Sequence, residues 1–147
     1  MVMIDLVLKI FIFLLLIAIS VFDIRKMIIP DALVIVVFVL SLAFLLLTKP
    51  VSAILYRLLF SLIAMGSLFL VSKLTKGFGV GDAKLCSALS FAQSFPLFFV
   101  TLFLSSIFGI VYSLVRFKKS KNNKIPFAPF LAAGFLSGEV VSGAIGI

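Results

Sequence analysis

Six apolar runs, at residues 4–22, 31–47, 52–72, 83–93, 97–115 and 127–147, fill most of this 147-residue chain and leave only short polar stretches between them. A soluble globule must coat its surface with polar residues. With 64% hydrophobic residues this chain has too few, so the bilayer is its expected solvent. Most of the runs approach the roughly 20 residues that a helix needs to cross about 30 Å of hydrocarbon. A span must satisfy its own backbone in lipid, and no run alternates like a barrel strand. The sequence therefore predicts an all-α membrane protein, a polytopic bundle of about six transmembrane helices in a single domain over residues 1–147.

The fourth run is short, and residues 83–115 read as one over-long helix were it not for Gln93-Ser94-Phe95-Pro96, a helix breaker flanked by polar groups. Charge decides between five spans and six. With six, the loops around Arg25 and Lys26, around Lys73, Lys76 and Lys84, and around Arg116, Lys118, Lys119, Lys121 and Lys124 share one side. They carry ten of the thirteen basic residues, and the positive-inside tendency makes that side cytoplasmic. Five spans split these loops between the two sides. Six spans, with both termini outside, place only Lys9, Lys49 and Arg57 in the other half. The first run is expected to stay as a span, because Val21-Phe22-Asp23-Ile24 is not a small-residue cleavage site.

A net charge of +8 in a soluble protein would raise nucleic acid as a partner; here orientation and anionic headgroups account for it, and no basic stripe with interleaved aromatics is present. Cys86 is the single cysteine and histidine is absent. These absences exclude an internal disulfide, a cysteine-based zinc site, a histidine-dependent triad and a HExxH metalloprotease. No metal or cofactor is expected.

The acids are then the chemistry-bearing residues. On this topology Asp23 ends the first span and Asp82 begins the fourth, so both lie near the cytoplasmic boundary although 59 positions separate them. Two carboxylates held close together share a proton and supply a general base and a general acid, the chemistry of an aspartyl protease. Structural roles stand beside that reading. Asp82 has the position of a helix N-cap after a glycine-rich turn. Asp23 faces the negative end of its own helix, which local stability does not favour, so another group should hold it; Arg25 or Lys26 is one option. Asp31, directly after Pro30, reads as the N-cap of the second span. Gly77, Gly79 and Gly81, at alternate positions, allow left-handed backbone and close approach to an extended peptide.

Asp23-Ile24-Arg25-Lys26-Met27-Ile28-Ile29-Pro30-Asp31, Gly79-Val80-Gly81-Asp82-Ala83-Lys84-Leu85 and Lys124-Ile125-Pro126-Phe127-Ala128-Pro129-Phe130-Leu131 occur in this order. Together they resemble the motifs of type IV prepilin peptidases, the polytopic GxGD-type aspartyl proteases that trim prepilin leaders. The second stretch, matching GxGDxKL, is the most specific. The resemblance implies that Asp23 and Asp82 are the catalytic pair and that Gly79, Gly81, Lys84 and Pro30 are loop or substrate-binding positions. It also implies a membrane-inserted prepilin as substrate, cleaved at the face of the cytoplasmic (inner) membrane. Asp31 stands where the family usually has Asn. Many relatives carry a cytoplasmic domain with paired CxxC motifs and methylate the new N-terminus; with one cysteine and no such insert, no separate methyltransferase domain is expected. This short form is similar to the compact peptidases of tight-adherence (Flp) pilus systems, with archaeal preflagellin peptidases as related proteins.

The competing class is a non-catalytic membrane assembly factor or degenerate homologue, in which the aspartates only cap helices and pair with cations. A small transporter fits less well, since no inverted repeat is visible. Glu139 and Lys9 fall at similar depths, about 20 Å from the cytoplasmic ends, and are expected to pair between the first and last spans. The basic loop at 116–124 is expected to serve orientation. Ala132, Ala133, Gly134 and Gly138 are expected at helix contacts or facing lipid.

Overall fold

The computed structural model describes residues 2–75, 79–117 and 125–145. Among them are six helices and no strand: α1 (Val2–Lys26), α2 (Asp31–Thr48), α3 (Val51–Thr75), α4 (Val80–Ala92), α5 (Phe95–Phe117) and α6 (Ala128–Ile145). Each grows from one of the apolar runs. Gln93 and Ser94 do separate α4 from α5, and Pro96 falls in the first turn of α5, where a missing N–H costs no helix bond. Lys76, Gly77 and Phe78, and the lysines of the basic loop from Lys118 to Lys124, lie outside the described residues.

Four helices, α1, α2, α3 and α5, are long and apolar enough to cross a membrane, which makes this a multi-pass membrane protein. Helix α6 has 18 residues, as many as α2, and its apolar part runs to at least Ala144, whereas α4, grown from the short fourth run, has 13 residues and is only about 20 Å long. Both are held by protein. Helix α4 is buried almost continuously from Leu85 to Phe91 and packs against α3 and α2; α6 packs against α5 and α1. The core joins them through Ile12, Leu16 and Ile19 of α1, Leu85 and Leu89 of α4, and Leu131 and Phe135 of α6. Outward positions such as Leu14, Leu47, Phe103 and Leu114 are exposed and apolar, as a lipid-facing surface requires.

Close approach between α5 and α6 depends on two glycines. A Cβ at Gly134 would lie 2.6 Å from the Thr101 carbonyl oxygen and 2.9 Å from the Ser105 nitrogen, and would collide with Ser105 Oγ. One at Gly138 would lie 2.8 Å from Thr101 Oγ1. These are therefore packing glycines. At the far end of the bundle Lys9 Nζ meets Glu139 Oε2 at 2.8 Å, the expected pair, and also Asp5 Oδ2 at 3.1 Å, which makes it a three-residue cluster.

Candidate active site

Helix α1 ends one turn after Asp23. The Met27 N–H donates to the Asp23 carbonyl at 2.9 Å, and Met27 itself turns into the left-handed region at φ 53°. A non-glycine residue there stores about 1 kcal/mol of strain. The chain then runs through Ile28 and Ile29 to Pro30, whose extended backbone (φ −67°, ψ 120°) caps α2, with its carbonyl accepting from the Leu33 N–H at 3.1 Å. The N-cap is thus Pro30, not Asp31 as the sequence suggested. Asp31 is the first helical residue, and its two carboxylate oxygens accept from Lys84 Nζ at 3.0 and 2.9 Å, tying α2 to α4.

Asp23 is 6% exposed. Its Oδ2 accepts the Ala128 N–H, at the first residue of α6, at 3.0 Å. The unfavourable position at the C-terminus of α1 is offset by the positive N-terminal end of a different helix. No ion pair joins Asp23 to Arg25 or Lys26 among the described residues, so the loop cations are not what holds it.

Across from it, α4 begins at Val80 with Gly79 as N-cap; Asp82 lies in the first turn and is not the cap. Its Oδ2 accepts the Gly79 N–H at 3.1 Å. Asp82 stands ahead of the apolar stretch of α4 and outside the four spanning helices. Burial, together with the nearby Asp23 charge, pushes its carboxyl up to about 6 in spite of the Gly79 hydrogen bond.

The glycines act by size. Gly79 is extended (φ −74°, ψ 146°), and neither it nor Gly81 uses the left-handed region that the sequence suggested. A Cβ on Gly79 would sit 3.0 Å from Asp82 Oδ2, and one on Gly81 would sit 3.1 Å from Ile29 Cβ. Gly81 lets the first turn of α4 lie against the connection between α1 and α2.

These pieces enclose one cleft of about 530 Å³. Asp23, Asp82, Gly79, Gly81, Lys84 and Pro30 all line it, so every site residue expected from sequence arrives at one place. Met27, Ile28 and Ile29 give it an apolar wall, and Asp31 adds a third carboxylate. Sequence reasoning missed the Ala128 N–H, the Asp31–Lys84 pair and the Ile29 contact. Only the first had a signal: Pro126 and Pro129 bracket Ala128 and mark a helix start there. Chemically the cleft offers two carboxylates facing one space, at the end of the bundle where α1 finishes in Arg25 and Lys26.

Residues 10–114 match the model of the type IV leader peptidase family. No curated protein and no solved structure matches the chain.

Proposed function

The chain belongs to the type IV leader peptidase family, and we propose that it is an aspartyl endopeptidase that removes the leader of type IV or Flp-type prepilins. Cleavage takes place at the cytoplasmic face of the cell membrane, with Asp23 and Asp82 as the catalytic pair. The observation that carries this reading is that these two carboxylates, 59 positions apart, line one cleft. Within residues 1–147 the peptidase is a single domain.

Asp82 is the acid. Its Oδ2 is occupied by the Gly79 N–H, so the proton that its raised affinity retains sits on Oδ1, ready to hydrogen-bond the scissile carbonyl oxygen. Asp23 is then the base that takes a proton from the attacking water. The oxygen of that water bonds to the carbonyl carbon, and the Asp82 proton passes to the carbonyl oxygen. When the tetrahedral intermediate collapses, the C–N bond breaks, the departing nitrogen takes the proton from Asp23, and the carbonyl re-forms as the hydroxyl proton returns to Asp82. Asp23, Asp31 and Asp82 against Lys84 leave the cleft with an acidic balance, suited to a basic leader segment.

The test is co-expression with a candidate prepilin, comparing wild type with Asp23→Asn and Asp82→Asn at matched membrane levels. Asn keeps an acceptor oxygen for Ala128 or Gly79, so both variants should accumulate and neither should cleave. Cleavage that survives both substitutions would refute the pair. Loss of accumulation in both would favour the capping role of an assembly factor instead.

A further inference from the structure

The end of the bundle opposite the cleft holds a second polar cavity, of about 280 Å³, to which all six helices contribute. Its origin is the short fourth helix. At about 20 Å, α4 is roughly 10 Å shorter than the hydrocarbon is thick, and Gln93 and Ser94 follow its last residue. Around this step stand Lys49, just past the end of α2, and Arg57, about 9 Å along α3 from its start.

The charges do not cancel. Lys9 is shared by Asp5 and Glu139, which leaves that cluster one charge negative. Arg57 and Lys49 then make the lining one charge positive. Arg57 donates from Nη1 to the Ala92 carbonyl at 3.0 Å, which satisfies one of its five N–H groups; Lys49 makes no ion pair among the described residues. Gln93 is 4% exposed, and neither its Nε2 nor its Oε1 has a hydrogen-bond partner among the described residues. A buried, unpartnered amide costs stability unless something meets it. The lining also holds the apolar side chains of Leu8, Ile12, Phe44, Leu97 and Phe135.

A single negative charge beside an apolar body is the chemistry of a phospholipid. We infer that this cavity binds the phosphate group of a phospholipid from the leaflet opposite the cleft, with Arg57 and Lys49 as its cationic partners and Gln93 as a further hydrogen-bonding group. The site is separate from the peptidase cleft, and the inference does not depend on the proposed reaction.

The test follows the thermal midpoint of the full chain in neutral detergent as three compounds are titrated: phosphatidylglycerol, diacylglycerol with the same acyl chains, and inorganic phosphate. Phosphatidylglycerol should raise the midpoint by several degrees, and the other two should not. Lys49→Gln, which breaks no ion pair among the described residues, should raise the half-saturating phosphatidylglycerol concentration about fivefold. Gln93→Met should stabilise the lipid-free protein and reduce the lipid response. An equal response to diacylglycerol would overturn the phosphate assignment, and an equal response to inorganic phosphate would overturn the lipid as its source. An unchanged half-saturating concentration in Lys49→Gln would overturn the site.

Discussion

Gly81→Ala tests whether the relative position of α4 and the α1–α2 connection sets the activity. The added Cβ would sit 3.1 Å from Ile29 Cβ, with Ile29 Cγ1 and Cδ1 at 3.5 Å. Carbon atoms rest at about 3.5–4.0 Å, so the Cβ pair must open by about 0.4 Å even to reach the near end of that range. The outer atoms of Ile29 can swing aside, but its Cβ is fixed to the backbone. The displacement therefore goes into the distance between the segment that carries Asp82 and the segment that follows Asp23. Overpacking costs about 1–3 kcal/mol, and replacing a helical glycine with alanine returns about 0.5–1 kcal/mol, so the net loss of stability should be about 1 kcal/mol.

Activity should suffer more. If a 1 Å misplacement costs about a hundredfold, 0.4 Å costs about sixfold. The assay is the initial rate of leader removal in vesicles at matched protein level, with the thermal midpoint measured alongside. The second-site variants decide the cause. Ile29→Ala keeps the obstructing Cβ and should not rescue, whereas Ile29→Gly removes it and should. Full activity in Gly81→Ala, or equal rescue by both second-site changes, would refute the reasoning.

The Asp82 proton sets a pH limit. Its carboxyl is raised to about 6, so the form that can donate is lost as pH rises through that value, and kcat/KM for leader removal should fall on the alkaline side with a limb near 6; a profile flat from pH 5 to 9 would contradict the assignment. Lys9→Met strips Glu139, whose side chain is 16% exposed, of its direct cation, and should lower stability in detergent by about 3 kcal/mol. The double variant Lys9→Met with Glu139→Leu should recover much of that loss, and equal destabilisation of single and double variants would count against the pair. Gly134→Ala should lower stability by about 2–3 kcal/mol, because its Cβ meets backbone of α5, while Gly143→Ala, with nothing within 4 Å, should be neutral or slightly stabilising. Equal midpoints for the two glycine variants would show that α5 and α6 do not pack this closely.

The sequence was most legible where one requirement had one solution. An apolar run in lipid has to be helical, so six helices followed, and the basic loops put Asp23 and Asp82 at the same end. Side-chain partners were less legible because each acid had several. Asp31 after Pro30 has the local look of a cap, but the cap geometry falls on Pro30, and Lys84, 53 positions away, takes the carboxylate. For Asp23 local reasoning established only that its own helix did not favour it. That the N-terminus of α6 supplies the missing partner depends on how α1 packs on α6, a tertiary fact that no window of sequence contains.

The short fourth run looked like an imperfect span, yet its length follows from what each of its ends must do. Its N-terminus has to bring Asp82 to the cleft, where the Gly81–Ile29 contact fixes its height against α1 and α2. Its C-terminus follows only 13 residues later, and the last carbonyl groups of a helix have no partner within it. Arg57 answers one of them at Ala92, and a cation at a helix C-terminus also meets the negative end of the dipole. Bringing Arg57 there in turn calls for the polar surroundings that the opposite end of the bundle supplies: Asp5, Lys9 and Glu139. The charged cavity is thus the structural counterpart of the short helix. Lengthening α4 beyond Ala92 would fill the cavity without moving the cleft.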